Sequence, residues 1–255
     1  MRLDLDERAG CRVIGVSGEL GVRGYPKLRD TLLKCAVEQP SAVIVVVDEL
    51  SVADKSLLSV FSQVHNRLSD WPGVPLFLVA RREAARRMLV DAVVPRFVPV
   101  FPSIGDAVRG VATQPRRRHA KITLPRSPEA SRHARQFTTQ VCHHWLPDSP
   151  ILTDALLVVN ALVENVVRHT DSEPVLRLEL RSRHFSIAVG DRSPVPARLR
   201  EGAAGEIGGV GLLMVAQVTK AWGCTPALSG GKVVWGVLAT GSRVRTAEFV
   251  VHPGH

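Results

Sequence analysis

The sequence predicts an α/β chain of two domains, an open α/β layer followed by an α+β sandwich. Three observations carry this. Up to about residue 112, each apolar run that reads as a strand is followed by a segment of helical periodicity. Residues 113–121 are rich in Pro and Arg and lack an apolar period, so they read as a linker. Beyond them, two long helical segments come together before a run of strands, which gathers the helices on one side of a sheet. The expected division is 1–112, a basic linker 113–121, a second domain 122–240 and a tail 241–255.

Taken in order, residues 12–17 (Arg-Val-Ile-Gly-Val-Ser) form a strand ended by Gly18-Glu19-Leu20-Gly21. Residues 25–38 follow as a helix with Leu28, Leu32, Leu33 and Ala36 at helical spacing and Pro26 near the start, where proline is tolerated. The continuous apolar run 42–47 suits a parallel strand buried on both faces. A helix over 56–68 places Leu57, Val60, Phe61, Val64 and Leu68 on one stripe. Residues 76–80 make a third strand, and 83–90 an Arg-rich helix. In the second half the reading is strand 121–124, helices 128–145 and 152–169, and strands 175–180 and 184–189. A Gly-rich loop 202–211, a helix 212–222 and a closing strand 233–239 complete it.

Composition narrows the function classes. With 45% hydrophobic and 22% charged residues, the chain is of the folded kind rather than the disordered. No apolar run approaches the roughly 20 residues of a membrane helix. The acidic, alternating start Met1-Arg2-Leu3-Asp4-Leu5-Asp6-Glu7 is unlike an export signal, so a cytoplasmic protein with no membrane partner is expected. Residues 113–255 hold 18 Lys/Arg against 11 Asp/Glu, a balance that suits an anionic ligand. Part of that excess is Arg116-Arg117-Arg118, read as a solvated linker run. No aromatic residue interleaves with it, which counts against direct nucleic-acid binding. Cys142-His143-His144 are adjacent on a helix, where ligands splay apart, so they read as no metal site.

Three segments of the second half carry chemistry. Residues 162–169 (Leu-Val-Glu-Asn-Val-Val-Arg-His) close an apolar helix, 189–194 (Val-Gly-Asp-Arg-Ser-Pro) end a strand in a turn, and 208–215 (Gly-Gly-Val-Gly-Leu-Leu-Met-Val) run from glycines into a helix. A Gly-rich segment lets backbone amides approach phosphates, and the helix behind it presents a positive N-terminus. Magnesium is often held by few protein groups, so a single Asn carboxamide can suffice. A carboxylate at a strand end can accept from an exocyclic adenine amine.

In this order the three segments resemble the ATPase fold shared by histidine kinases, gyrase-type ATPases and anti-sigma-factor serine kinases, the last most of all. Residues 128–137 and 231–235 resemble that group's opening helix and last strand. The resemblance covers roughly residues 119–240 and implies a Bergerat-type sandwich binding ATP and magnesium. By it Asn165 holds magnesium, Asp191 reads adenine, and Gly209 and Gly211 belong to the phosphate-covering loop, flanked by Gly208. It also places Ala161 where these kinases carry a general-base Glu. Glu164 is the remaining carboxylate candidate, but with Asn160 and Arg168 it falls on an i, i+4, i+8 polar stripe.

In the first half, residues 13–20 (Val-Ile-Gly-Val-Ser-Gly-Glu-Leu) and 50–58 (Leu-Ser-Val-Ala-Asp-Lys-Ser-Leu-Leu) resemble the STAS domain of anti-sigma-factor antagonists. The resemblance makes Ser56 the phospho-acceptor in the first turn of its helix. Lys55 and Leu57 stand where the family has a hydroxyl residue and a Gly. The alternative is that Asp54 caps the helix and Ser56 is an ordinary first-turn serine.

Together these features imply a bacterial partner-switching regulator of a sigma factor, its partners a sigma factor or an antagonist protein. An active serine kinase and a catalytically inactive nucleotide-binding scaffold are the alternatives. The fused domains are expected to dock in cis or to pair as a homodimer, with negative charge at Ser56 loosening a cis contact.

Overall fold

The computed structural model describes residues 1–114, 117–147, 149–195, 197, 210–228 and 230–240. Its first sheet has the order β1-β2-β3-β4-β5, with β1 (Arg2–Arg8), β2 (Cys11–Leu20), β3 (Val43–Val52), β4 (Leu76–Val79) and β5 (Val100–Phe101). β2 to β5 are parallel, and β1 runs antiparallel along the edge at β2. The helices α1 (Gly24–Val37), α2 (Ser59–Asp70) and α3 (Glu83–Asp91) cover one face. There Leu28, Leu32, Phe61, Val64 and Leu89 close over Ile14, Val45 and Leu78. α4 (Ile104–Gly110) covers the other face, packing Ala107 on Val13, Ile44 and Phe77.

The second sheet is antiparallel throughout, in the order β6-β7-β8-β10-β9. Its strands are β6 (Arg117–Thr123), β7 (Val175–Arg181), β8 (His184–Asp191), β9 (Ala221–Pro226) and β10 (Lys232–Ala239). α5 (Ala130–Trp145), α6 (Leu152–His169) and α7 (Val210–Val218) lie on one face, over Leu176, Leu178, Phe185, Ile187, Val189 and Val234. Period-2 alternation turns Arg177, Glu179, Ala188, Val233, Trp235 and Val237 to the other face. That face is covered by Val37 and Trp71 of the first domain.

Four expectations need correction. The strand expected from Lys121 begins at Arg117, so Arg117 and Arg118 belong to the sheet and not to a solvated linker. The segment 56–68 is a 3-10 turn, Lys55–Leu58, leading into α2. The helix expected to run to Trp222 ends at Val218, because Trp222 and Gly223 pair with Gly236 and Trp235 of β10. Gly223 is a packing requirement, since a Cβ there would lie 2.7 Å from the Trp235 ring. The acidic N-terminus is a strand, β1, too charged to show an apolar pattern; charged edges of this kind resist pairing with other chains.

Candidate functional site

On the helical side of the second sheet, α6 carries Ala161 and Asn165, the start of α7 brings Gly211 against Ala161, and Asp191 ends β8. α6 forms over 18 residues because an apolar stripe (Ala155, Val158, Val159, Leu162, Val163, Val166) packs on β8 and β10. Ala161 and Asn165 sit one turn apart on the same face. That face is turned toward the start of α7, since a Cβ on Gly211 would lie 3.5 Å from the Ala161 Cβ. Asn165 is half-buried, and no side-chain hydrogen bond engages it among the described residues. Glu164 points elsewhere, as its 100° offset requires. It accepts from Asn160 Nδ2 at 2.8 Å and pairs with Arg168 at 3.2 Å, while Arg135 of α5 donates to Asn160 Oδ1 at 2.7 Å. Gly208 and Gly209 lie outside the described residues.

Asp191 ends β8 with a side chain that is fully buried. Its Oδ1 accepts from the Ser193 amide at 2.7 Å and from Lys232 Nζ at 3.0 Å. Lys232 Nζ also stands 3.0 Å from Oδ2, but off the direction of a hydrogen bond, so among the described residues Oδ2 has charge compensation and no well-directed donor. A buried acceptor without a donor costs about 1–3 kcal/mol. Such an atom suits a ligand that brings its own N–H. The neighbouring turn is built for close approach: Gly231 has φ +75°, and a Cβ there would fall 1.9 Å from the Asp191 carbonyl oxygen.

Ser56 stands at the opposite end of the molecule. Asp54, in extended conformation, caps the 3-10 turn by accepting from the Ser56 amide at 2.7 Å. Its bonds with the Ser56 hydroxyl and then the amide hold the Asp54 carboxyl below the ordinary range. Ser56 is exposed, whereas Leu57 turns inward against the first core and leaves the hydroxyl accessible. Nearby Asp48 is a buried carboxylate that motif reading missed. It receives the Arg81 and Arg82 amides at 2.7 and 2.9 Å and Arg81 Nε at 2.6 Å, fixing the chain between β4 and α3.

The joint between domains was also illegible as a motif. Trp71 and Trp235 stack with centroids 5.0 Å apart and planes 9° from parallel. Arg117 grips Glu179 with two bonds of 2.9 Å, and Gln39 donates to the same carboxylate at 3.3 Å. Three arginines of the second domain donate to first-domain carbonyls: Arg117 to Pro40 (3.3 Å), Arg177 to Val37 (2.6 Å) and Arg181 to Gly73 (2.8 Å). These first-domain residues end α1 or precede β3 and β4, at the N-terminal ends of the parallel strands. Ser56 follows the C-terminal end of β3, ten residues or roughly 30 Å away along the strand. The contact therefore forms in cis but leaves Ser56 outside it. The expectation that charge at Ser56 loosens docking is not met by this geometry.

Comparison with known proteins locates the first domain. Residues 2–107 match the STAS domain family. Among solved structures, an anti-sigma factor antagonist from Mycobacterium paratuberculosis is 20% identical, covering 44% of this chain and 93% of that one, with a TM-score of 0.39. The phosphorylated form of the Bacillus cell fate determinant SpoIIAA is 18% identical over 43% of this chain and 99% of its own, with a TM-score of 0.33. A variant of RsbS from Moorella thermoacetica is 15% identical over 44% and 97%, with a TM-score of 0.37. No curated protein matches the chain. No helix among the described residues is long and apolar enough to cross a membrane.

Proposed function

We propose that the chain is a partner-switching regulator whose STAS domain offers Ser56 to a partner and whose second domain is a Bergerat-type module binding ATP with magnesium. The observation that carries the nucleotide reading is the buried Asp191 Oδ2, charge-compensated by Lys232 but without a well-directed donor among the described residues. An adenine amine would supply that donor. Asn165 would hold magnesium, and Gly211, with Gly209 before it, would border the phosphates at the start of α7. When bound, ATP supplies a transferable phosphoryl group. The protein partners of this reading are a sigma factor or an antagonist protein.

One observation favours binding without transfer. Ala161 has no carboxylate to offer, and Glu164 is held between Asn160 and Arg168, away from the face that bears Asn165. A missing general base typically costs about 10²–10⁴-fold. The second domain then acts as a nucleotide-dependent binding module, not a fast kinase.

Titration calorimetry of the full chain with ADP, with and without magnesium, tests the reading. Binding is expected, with a rise in melting temperature that follows RT ln(1 + [L]/Kd). Asn165→Ala should abolish the magnesium dependence and leave the unliganded melting temperature unchanged, because the Asn165 side chain makes no hydrogen bond among the described residues. Asp191→Asn should weaken binding strongly. Absence of heat and of thermal shift at millimolar nucleotide would sink the proposal.

A further inference from the structure

The face of the second sheet that meets the first domain carries more positive charge than the joint cancels. β6 and β7 pair with Arg117 opposite Arg181 and Lys121 opposite Arg177. Like charges at directly opposed positions repel. Glu179 is occupied by Arg117. Arg177 and Arg181 donate to backbone carbonyls, which are neutral and leave their charges standing. Burial pulls both guanidiniums below their ordinary pKa, against the countering charges of Glu38 and Glu179 respectively. Four cations thus face two carboxylates.

The four cations and Glu38 line a cleft of about 550 Å³ between the domains, walled also by Pro40, Pro75 and Ala112. That volume is of small-molecule size. Lys121, exposed on the edge strand, makes no hydrogen bond or ion pair among the described residues and lines the same cleft. We propose that the cleft binds a small molecule bearing a phosphate or diphosphate group, held by Lys121, Arg177 and Arg181. Charge-assisted bonds from guanidinium and ammonium groups suit phosphate oxygens. Because its walls come from both domains, the bound anion holds them together.

Calorimetry of the full chain with inorganic pyrophosphate tests this, with malonate as a carboxylate comparison. Lys121→Gln should weaken pyrophosphate binding roughly tenfold, the scale of one charge-assisted hydrogen bond. Lys27→Gln, on the exposed side of α1 and outside the cleft, removes the same charge and should leave affinity unchanged. Malonate should bind more weakly than pyrophosphate. No heat at millimolar pyrophosphate, or equal affinities in the two variants, overturns the proposal. So does binding that survives Lys121→Gln and disappears in Asn165→Ala, because it would place the anion on the helical side of the sheet.

Discussion

Truncating the tryptophan pair tests whether the two domains form one folding unit. Trp71 and Trp235 belong to different domains, are each nearly fully buried, and stack on one another. Replacing a buried Trp by Ala typically costs about 3–5 kcal/mol. Trp71→Ala also removes an indole N–H that has no acceptor among the described residues, which places it near the lower end, at about 3 kcal/mol. Trp235→Ala additionally breaks a 3.2 Å bond from Nε1 to Thr225 Oγ1, which places it nearer 4–5 kcal/mol. The stacked geometry contributes about 0.5–1.5 kcal/mol beyond area burial, and the double variant cannot lose it twice. Urea unfolding of the full chain, followed by far-UV circular dichroism so that no reporter is lost, gives the four free energies of the cycle. A coupling of about 1 kcal/mol is expected. Single-variant costs that add within about 0.3 kcal/mol would refute a packed joint and leave the domains merely tethered.

Two further perturbations test local geometry. Gly231→Ala should destabilise by about 3 kcal/mol or more, combining a left-handed backbone with a Cβ 1.9 Å from the Asp191 carbonyl oxygen. Gly230→Ala, at φ +93° but with open space around it, should cost only the backbone penalty of about 1–2 kcal/mol. Equal melting temperatures for the two would show that the turn does not press on Asp191. Asp48→Asn should cost about 2–3 kcal/mol at neutral pH by weakening three charge-assisted bonds. Burial alone would raise the Asp48 pKa, but the Arg81 guanidinium and the two amides outweigh it and hold the carboxyl below its ordinary range. A depressed folded pKa stabilises fully above the unfolded value of about 3.9 and ceases to do so as pH falls through the folded value. The wild-type and variant stability curves should therefore converge on acidification from about pH 4; a constant gap would contradict the assignment.

Helices and strands with an uninterrupted apolar pattern are legible in the sequence: α6 over 152–169, the buried core of β3, and the parallel run of the first sheet. Patterns made by contact with the other domain are not. Arg117, His119 and Lys121 alternate on one face of β6, as Arg177, Glu179 and Arg181 do on β7. Period-2 charge beside a run of arginines reads as solvent until a second surface is known to cover it. Trp222 fails for a related reason, since its strand exists because Gly223 makes room for the ring of Trp235. The candidate nucleotide residues were legible as spaced motifs, whereas the Asp191–Lys232 pair was not, because 41 residues separate its members. Ser56 was legible as a first-turn serine behind a capping Asp54, but not that its turn is 3-10 or that it lies outside the contact between the domains.

The arginines of the second domain grip the first by the carbonyls of Val37, Pro40 and Gly73, which every residue type possesses. At those positions the three hydrogen bonds are blind to side-chain identity, although the Val37 side chain also packs with Trp71 and Trp235. A descendant of this chain could change Val37 to another apolar residue, or Glu38 to a neutral one, and keep the same three bonds. Gly73 is the exception: its φ of +72° and the 3.1 Å from a would-be Cβ to Arg181 Nη1 admit little else. At those carbonyls such a joint tolerates drift on the side of the first domain while demanding fidelity on the other, where each arginine must stay an arginine. A lineage that exchanged one STAS domain for another of the same backbone would therefore inherit a socket that already fits.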